Sequence, residues 1–356
     1  MQKSKADKLV KRILKEKPLF APEANDDNIK VIGGETTNLL DLSNIKYQWC
    51  HDIFDVIFGN NWLPHKTPMG DDKAQWKKLT DDEQQAYIDI LSFLIFLDSI
   101  QTNNLPNISE FITAPDIVYV LARQTYDEAV HSKSYGWILN SLFDREKSHE
   151  IVYRWRDNTL LLERNKLIAS IYQEHKDNPT DSSMVKSIIA NYLLEGLYFY
   201  NGFQFFHNLQ SRGLMAGTDT QIRYIQRDEL QHCNIFKNII NELTNENPEL
   251  IEENKEMIYE LFRVAVKWEV DFSQEVIGDK ILGMNKEAIE QYANHLGNLR
   301  LKAINLDEIF PKSKNPYAHL ELIAGVDDET TNRSNNFEVN SINYKTKDTV
   351  DGWDDI

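Results

Sequence analysis

Residues 81–102, DDEQQAYIDILSFLIFLDSIQT, open with a helix start and close with an acid in an unlikely setting. Thr80 precedes the segment and Glu83 lies three residues further on. That is the spacing of a capping box, in which each side chain satisfies a backbone N–H of the first turn. From Ile88 to Ile100 the run is the most apolar in the chain, yet Asp89, Ser92, Asp98 and Ser99 interrupt it. It therefore falls short of the roughly 20 apolar residues that span a bilayer, and reads as a buried helix instead. Asp98 sits where a charge is costly unless it is paired or bound to a metal.

The same pattern recurs along the chain. Residues 183–209, SMVKSIIANYLLEGLYFYNGFQFFHNL, form an aromatic-rich helical stretch with Glu195 in its middle. Ala114–Leu142 carries Ile117, Val118, Val120, Leu121, Tyr126 and Val130 at helical spacings, and Asp219–Leu243 follows a Gly-containing loop. Further helical patterns cover Arg145–Glu174, Glu252–Ile277 and Lys286–Leu301. No alternating strand pattern and no fixed-period repeat is visible. The expected class is all-α, and helices this long favour a bundle with near-parallel axes.

The chain has 356 residues, ample for a large core, with 56 Asp and Glu against 39 Lys and Arg and a formal charge of -17. That acidity argues against a general nucleic-acid binder, which needs a basic face to release counterions. No membrane span is expected. Two cysteines, Cys50 and Cys233, cannot build a disulfide framework or a thiolate zinc site, so the reducing cytoplasm is the expected compartment. The basic start, MQKSKADKLVKRILKEK, is expected to be a short surface helix or a frayed end. Beyond residue 323 the composition turns to Asp, Asn, Thr and Ser, the mark of a flexible tail. Phe337, Tyr344 and Trp353 stand out there, since a solvated tail has no core to fill. A peptide that docks on a partner, with Trp353 as anchor, accounts for them. The expected organisation is an N-terminal extension over 1–30, a helical domain over 31–323 and a docking tail over 324–356.

Glu-x-x-His occurs three times, as Glu128/His131, Glu146/His149 and Glu229/His232. On a helix this spacing puts both side chains on one face, where they can share a metal. One such motif is a weak signal, because chance alone supplies about one in a chain of this kind. Context separates them. Glu146/His149 lies in the charge-dense DREKSHE and reads as a solvated helix start, whereas the other two pairs sit in helices with apolar faces. With Asp98 and Glu195, four long helices each offer an acid, and two of those acids are followed by His. Four carboxylates and two imidazoles are the ligand set of ferritin-like di-iron or di-manganese proteins. Hard carboxylates beside imidazoles suit iron or manganese.

The segments NNWLP (60–64), LDSIQ (97–101), DEAVHSKSY (127–135), LLEGLYFY (193–200), RDELQH (227–232) and NPY (315–317) occur in this order. In that combination the chain resembles the class I ribonucleotide reductase small (beta) subunit, from about Tyr47 to Pro316. The resemblance implies a ferritin-like bundle with a dinuclear iron or manganese centre, two ions per chain. Asp98, Glu128 and His131 match the ligands of one metal; Glu195, Glu229 and His232 match those of the other. Tyr135 matches the tyrosine that carries a stable radical, and it lies one turn beyond His131 on the same face. Trp62 matches the first residue of the radical-transfer route, and Asp228 the carboxylate joining Trp62 to His131. Tyr344, the only tyrosine of the tail, is the candidate for the family's tail tyrosine that passes the radical on. Phe199, Phe203 and Ile225 match the apolar shell around metals and radical.

The implied activity is ribonucleoside-diphosphate reductase. The resemblance further implies dioxygen or superoxide as oxidant, a homodimer, and a large catalytic subunit as partner, bound through the tail. Two rivals have less support. A stand-alone ferritin-like di-metal oxidase needs no aromatic docking tail, and a metal-storage bundle needs no tyrosine beside the centre.

Overall fold

The chain is carried by eleven α-helices in the computed structural model, which describes residues 12–320. They are α1 (Gln48–Gly59), α2 (Gly70–Gln75), α3 (Asp81–Ser109), α4 (Pro115–Leu142), α5 (Arg145–Val152), α6 (Thr159–Asp177), α7 (Asp181–Leu193), α8 (Tyr200–Ser211), α9 (Ala216–Glu246), α10 (Pro248–Val276) and α11 (Lys286–Ala303). A π-helical turn, Leu194–Tyr198, joins α7 to α8. Among the described residues there is no β-strand, only two isolated bridges, Ile13 with Thr180 and Ile32 with Ile112.

The helix starts follow local chemistry. Thr80 Oγ1 accepts from the Glu83 N–H at 3.2 Å, and Glu83 Oε2 accepts from the Thr80 N–H at 2.9 Å, so the expected capping box is formed. Asp72 caps α9 from another part of the chain, accepting from the Gly217 and Thr218 N–H groups at 2.9 and 2.6 Å. Each such cap is worth about 1 kcal/mol.

Three segments differ from the sequence expectation. The helical pattern over Arg145–Glu174 is two helices, because Asn158 accepts from the Leu161 N–H at 3.0 Å and starts α6 afresh. The stretch 183–209 is broken by the π turn. At the N-terminus, residues 12–17 run extended instead of forming a helix. Leu14 N–H donates to the Pro179 carbonyl at 2.9 Å, and the Lys17 ammonium donates to the carbonyls of Ser109 and Ile112 at 2.6 and 2.8 Å. Those carbonyls lie at and just beyond the end of α3, where a helix leaves acceptors unpaired, and they hold the segment in place. Burial pushes the Lys17 ammonium down to about 8. The tail, with Phe337, Tyr344 and Trp353, lies outside the described residues.

α3 lies along α4, α4 packs on α9, and α7 and α8 pack on α9, which makes the bundle; α10 packs on α7, and α11 packs on α10 and on the π turn. Leu94, Leu121, Phe199, Phe203 and Ile225 fill its centre, fully or almost fully withdrawn from solvent. Truncating one of these rings, as in Phe203→Ala, costs about 3–5 kcal/mol through lost burial and the cavity left behind. α6 is tied to α10 by a fully buried ion pair, Arg164 with Glu269, whose guanidinium also lies 3.8 Å from the centre of the Phe93 ring. No helix among the described residues is long and apolar enough to cross a membrane.

Candidate metal centre

Asp98 comes from α3, Glu128 and His131 from one face of α4, Glu195 from the π turn, and Glu229 and His232 from one face of α9. All six side chains are 0 % exposed. They converge in two groups whose ligand atoms lie within 4.8 Å of one another: Asp98, Glu128, His131 and Glu229, and then Glu128, Glu195, Glu229 and His232. Glu128 and Glu229 belong to both. The structure thus refines the sequence assignment, which gave each of them to one metal. Glu146 and His149, by contrast, are exposed at the start of α5.

The imidazoles turn Nδ1 inward. His131 Nδ1 lies 3.0 Å from Glu229 and 3.7 Å from Glu128, while His232 Nδ1 lies 2.8 Å from Glu229, 3.2 Å from Glu128 and 3.9 Å from Glu195. Their Nε2 atoms point outward to carboxylates, His131 to Asp228 at 3.4 Å and His232 to Asp127 at 3.5 Å. The two arms cross over: Asp228 precedes Glu229 on α9 but faces a histidine of α4, and Asp127 does the reverse. Each acid has its own arginine, Arg227 at 3.0 Å from Asp228 and Arg123 at 2.6 Å from Asp127. Both arginines also donate to carbonyls at the end of α1, Arg123 to Ile57 and Arg227 to Asn60.

The electrostatics follow from this crowding. Burial pushes the Asp98 and Glu195 carboxyls well above their ordinary range, and the charges of Glu128 and Glu229 add to the effect. Glu229 is the exception: burial alone would raise it, but His232 and His131 hold it far below the carboxylate range. Burial lowers both imidazoles, yet Glu229 and their other carboxylate neighbours outweigh it and raise them. Asp228 is held low, against burial, by His131, Arg227 and Trp62.

Both oxygens of Asp98, Glu128 Oε2 and Glu195 Oε2 are buried without a hydrogen-bond partner. An orphaned buried polar atom costs about 1–3 kcal/mol, so four in one cavity are tolerable only if something binds there. Oxygen and imidazole donors fit a pair of divalent iron or manganese ions.

Tyr135 is buried next to Asp98, with its hydroxyl short of a formed hydrogen bond; burial, then Asp98, pushes the phenol well above its ordinary value. Phe199 stacks on Phe203 with ring centres 5.5 Å apart, and Ile225 is fully buried in the same core. Trp62 Nε1 donates to Asp228 Oδ2 at 2.8 Å, the oxygen that also faces His131, so Asp228 does stand between indole and imidazole.

Three polar residues escaped the sequence analysis. Gln101 and Gln124 both donate to Glu195 Oε1, the latter at 2.9 Å, and Tyr172 donates to Gln101 at 3.0 Å. Gln101 lies three residues after Asp98 and Gln124 four before Glu128, the same-face spacings that expose such partners. Asp127 is the fourth omission. Its signal was the repeated Asp-Glu-x-x-His, which occurs only at the two pairs that converge.

A helical bundle presenting four carboxylates and two imidazoles to one buried cavity defines a ferritin-like dinuclear carboxylate protein. Residues 39–316 match the family described as ribonucleotide reductase, small chain, and the chain belongs to that family. It is 41% identical over 302 residues to the ribonucleoside-diphosphate reductase subunit beta of Treponema pallidum (strain Nichols), covering 84% of this chain and 86% of that one. The ribonucleotide reductase R2 subunit from Clostridium botulinum has a TM-score of 0.86 at 40% identity, over 88% of this chain and 99% of its own. Streptococcus sanguinis dimanganese(II)-NrdF, at 21% identity and a TM-score of 0.71, shares the fold over 81% of this chain and 99% of its own. The chain is thus the beta-subunit type of ribonucleoside-diphosphate reductase, which works in the reduction of ribonucleotides to deoxyribonucleotides. Family membership implies a homodimer that pairs with a large subunit.

Proposed function

We propose that Asp98, Glu128, His131, Glu195, Glu229 and His232 hold two iron or manganese ions per chain, and that Tyr135 is the residue oxidised to a stable radical. The observation that carries this is the convergence of six fully buried ligands, two of them shared between both groups. Bound ions supply the oxidising power, with dioxygen or superoxide as the oxidant; the remaining tasks fall to the chain. Asp98 lies beside the Tyr135 hydroxyl, at the position from which the phenolic proton has to leave. Phe199, Phe203 and Ile225 keep water from the ring, which protects an organic radical from reduction. Asp228 fixes His131 through Nε2, which sets the tautomer that leaves Nδ1 as the ligand atom.

The same oxygen holds the Trp62 indole, so Trp62 and Asp228 form the start of the route to the large subunit. In this reading the tail of residues 324–356 docks on that subunit in the cytoplasm, with Trp353 as anchor and Tyr344 as relay. A stand-alone oxidase would have no use for a hydrogen-bonded indole between the centre and the surface.

The test is an electron paramagnetic resonance spectrum with metal analysis. Wild-type protein should carry about two ions per chain and an organic radical signal. Tyr135→Phe should keep the ions and lose that signal, since removing one hydroxyl changes little volume. A surviving tyrosyl signal would move the radical to another residue.

A further inference from the structure

Glu195 is the one ligand of the six presented by a π-helical turn, and a single side chain from another helix bridges that turn. Arg300, in the last turn of α11, is 1% exposed. Its Nε donates to the Gly196 carbonyl at 3.1 Å, and its Nη2 donates to the Tyr200 hydroxyl at 3.2 Å. Its own carbonyl accepts from the Tyr192 hydroxyl at 3.0 Å. Tyr192 lies on α7, Gly196 within the turn and Tyr200 on α8, so one arginine holds the helix before, inside and after the irregularity.

The fit leaves no slack. A Cβ on Gly196 would lie 2.7 Å from Arg300 Nε, 3.0 Å from Arg300 Cδ and 3.0 Å from Cys233 Sγ, next to His232. Only glycine lets the guanidinium reach this backbone. A π turn is a rare geometry that a regular helix would replace if nothing opposed the change, and a side chain inserted at the backbone is a known cause of such distortion. Regularising the turn would rotate Glu195 relative to Glu128 and Glu229.

We propose that Arg300 is a positioning residue for the metal centre: it splints the π turn and thereby fixes where Glu195 presents its carboxylate. This rests on the assignment of Glu195 as a ligand. The guanidinium acts on the turn through the Gly196 carbonyl and the Tyr200 hydroxyl.

The test is titration of metal-free wild type, Arg300→Met, Arg300→Lys and Gly196→Ala with manganese(II), with free ion counted by electron paramagnetic resonance and helix content checked by circular dichroism. Wild type should bind two ions. Arg300→Met should keep one ion at wild-type affinity and bind the second about 10–100-fold more weakly, the usual effect of losing a group that orients a ligand. Gly196→Ala, which wedges the arginine away from the opposite side, should produce the same selective loss. Arg300→Lys should recover part of it, because an ammonium can reach the carbonyl but has no second arm for Tyr200. Wild-type affinity for both ions in a folded Arg300→Met would overturn the splint, and so would equal weakening of both. If Arg300→Met does not fold, Gly196→Ala and Arg300→Lys decide by the same criterion. A wild-type chain that binds fewer than two ions would overturn the ligand assignment and the splint with it, an outcome distinct from equal binding by wild type and variants.

Discussion

Loading the centre should expel protons, and the site indicates how many. In the metal-free chain, burial and the charges of Glu128 and Glu229 favour the protonated carboxyls of Asp98 and Glu195. Glu229 and its neighbours overcome burial and favour the protonated imidazoles of His131 and His232. A ligating carboxylate or imidazole must give its proton up, so Asp98, Glu195, His131 and His232 release up to about four per chain. The overall affinity for the ion pair should therefore fall by up to about 10⁴-fold for each unit of pH lost.

Stability responds to pH differently in the two forms. Above about pH 4 for the two carboxyls and about 6.5 for the two imidazoles, the folded metal-free chain binds more protons than the unfolded one. Its stability then declines as pH rises, while that of the loaded protein, whose ligands carry no protons, stays level. Glu229, held ionised by two imidazoles, titrates below this window and does not alter the sign. The assay is calorimetric titration with manganese(II) in two buffers of different ionisation enthalpy, together with melting curves of both forms across pH. Release of two protons or fewer, or parallel pH slopes, would mean the empty cavity already holds its carboxylates ionised, and would refute the reasoning.

Other outcomes separate the roles of individual residues. Glu128→Ala and Glu229→Ala should each deplete both metal positions, because each acid belongs to both groups, while Glu146→Ala should leave elemental analysis at the wild-type value. Trp62→Phe should keep the ions and the radical but lose deoxyribonucleotide formation with the large subunit, as phenylalanine has no N–H for Asp228 and is harder to oxidise; normal turnover would remove Trp62 from the route. In the tail, deleting residues 352–356 should weaken association so that excess large subunit restores activity, whereas Tyr344→Phe should bind normally and stay inactive at any concentration. A titration of each variant with the large subunit distinguishes the two.

The six residues of the buried cluster were legible in the sequence because each breaks a local rule: an acid inside an apolar helix, or a Glu-x-x-His on a half-buried face. The π turn was not. Residues 183–209 are apolar on every side, so the pattern has no phase to interrupt, and the turn is held by Arg300, roughly a hundred residues downstream. The extended N-terminal arm was illegible for a related reason. KRILKEK has helical propensity, but carbonyls near the end of α3 offer Lys17 more than a solvated helix would. Asp127 carries a signal in the sequence, since it opens an Asp-Glu-x-x-His as Asp228 does. The break before α6 was marked too, by Asn158.

The crossed arms of the centre make its two halves near-mirror copies, each a histidine, an aspartate and an arginine. A fully symmetric site would give an electron hole no preferred exit. The two arms differ at the oxygens of their aspartates. On the His232 side, Arg123 occupies both oxygens of Asp127, through Nη2 at 2.6 Å and Nε at 3.3 Å. On the His131 side, Arg227 uses only Oδ1 of Asp228, which leaves Oδ2 for the Trp62 indole. A guanidinium resists oxidation and an indole does not, so if Trp62 is the relay, where an arginine places its second nitrogen decides which half conducts and which insulates. On the proposed roles, that small asymmetry gives the centre its direction.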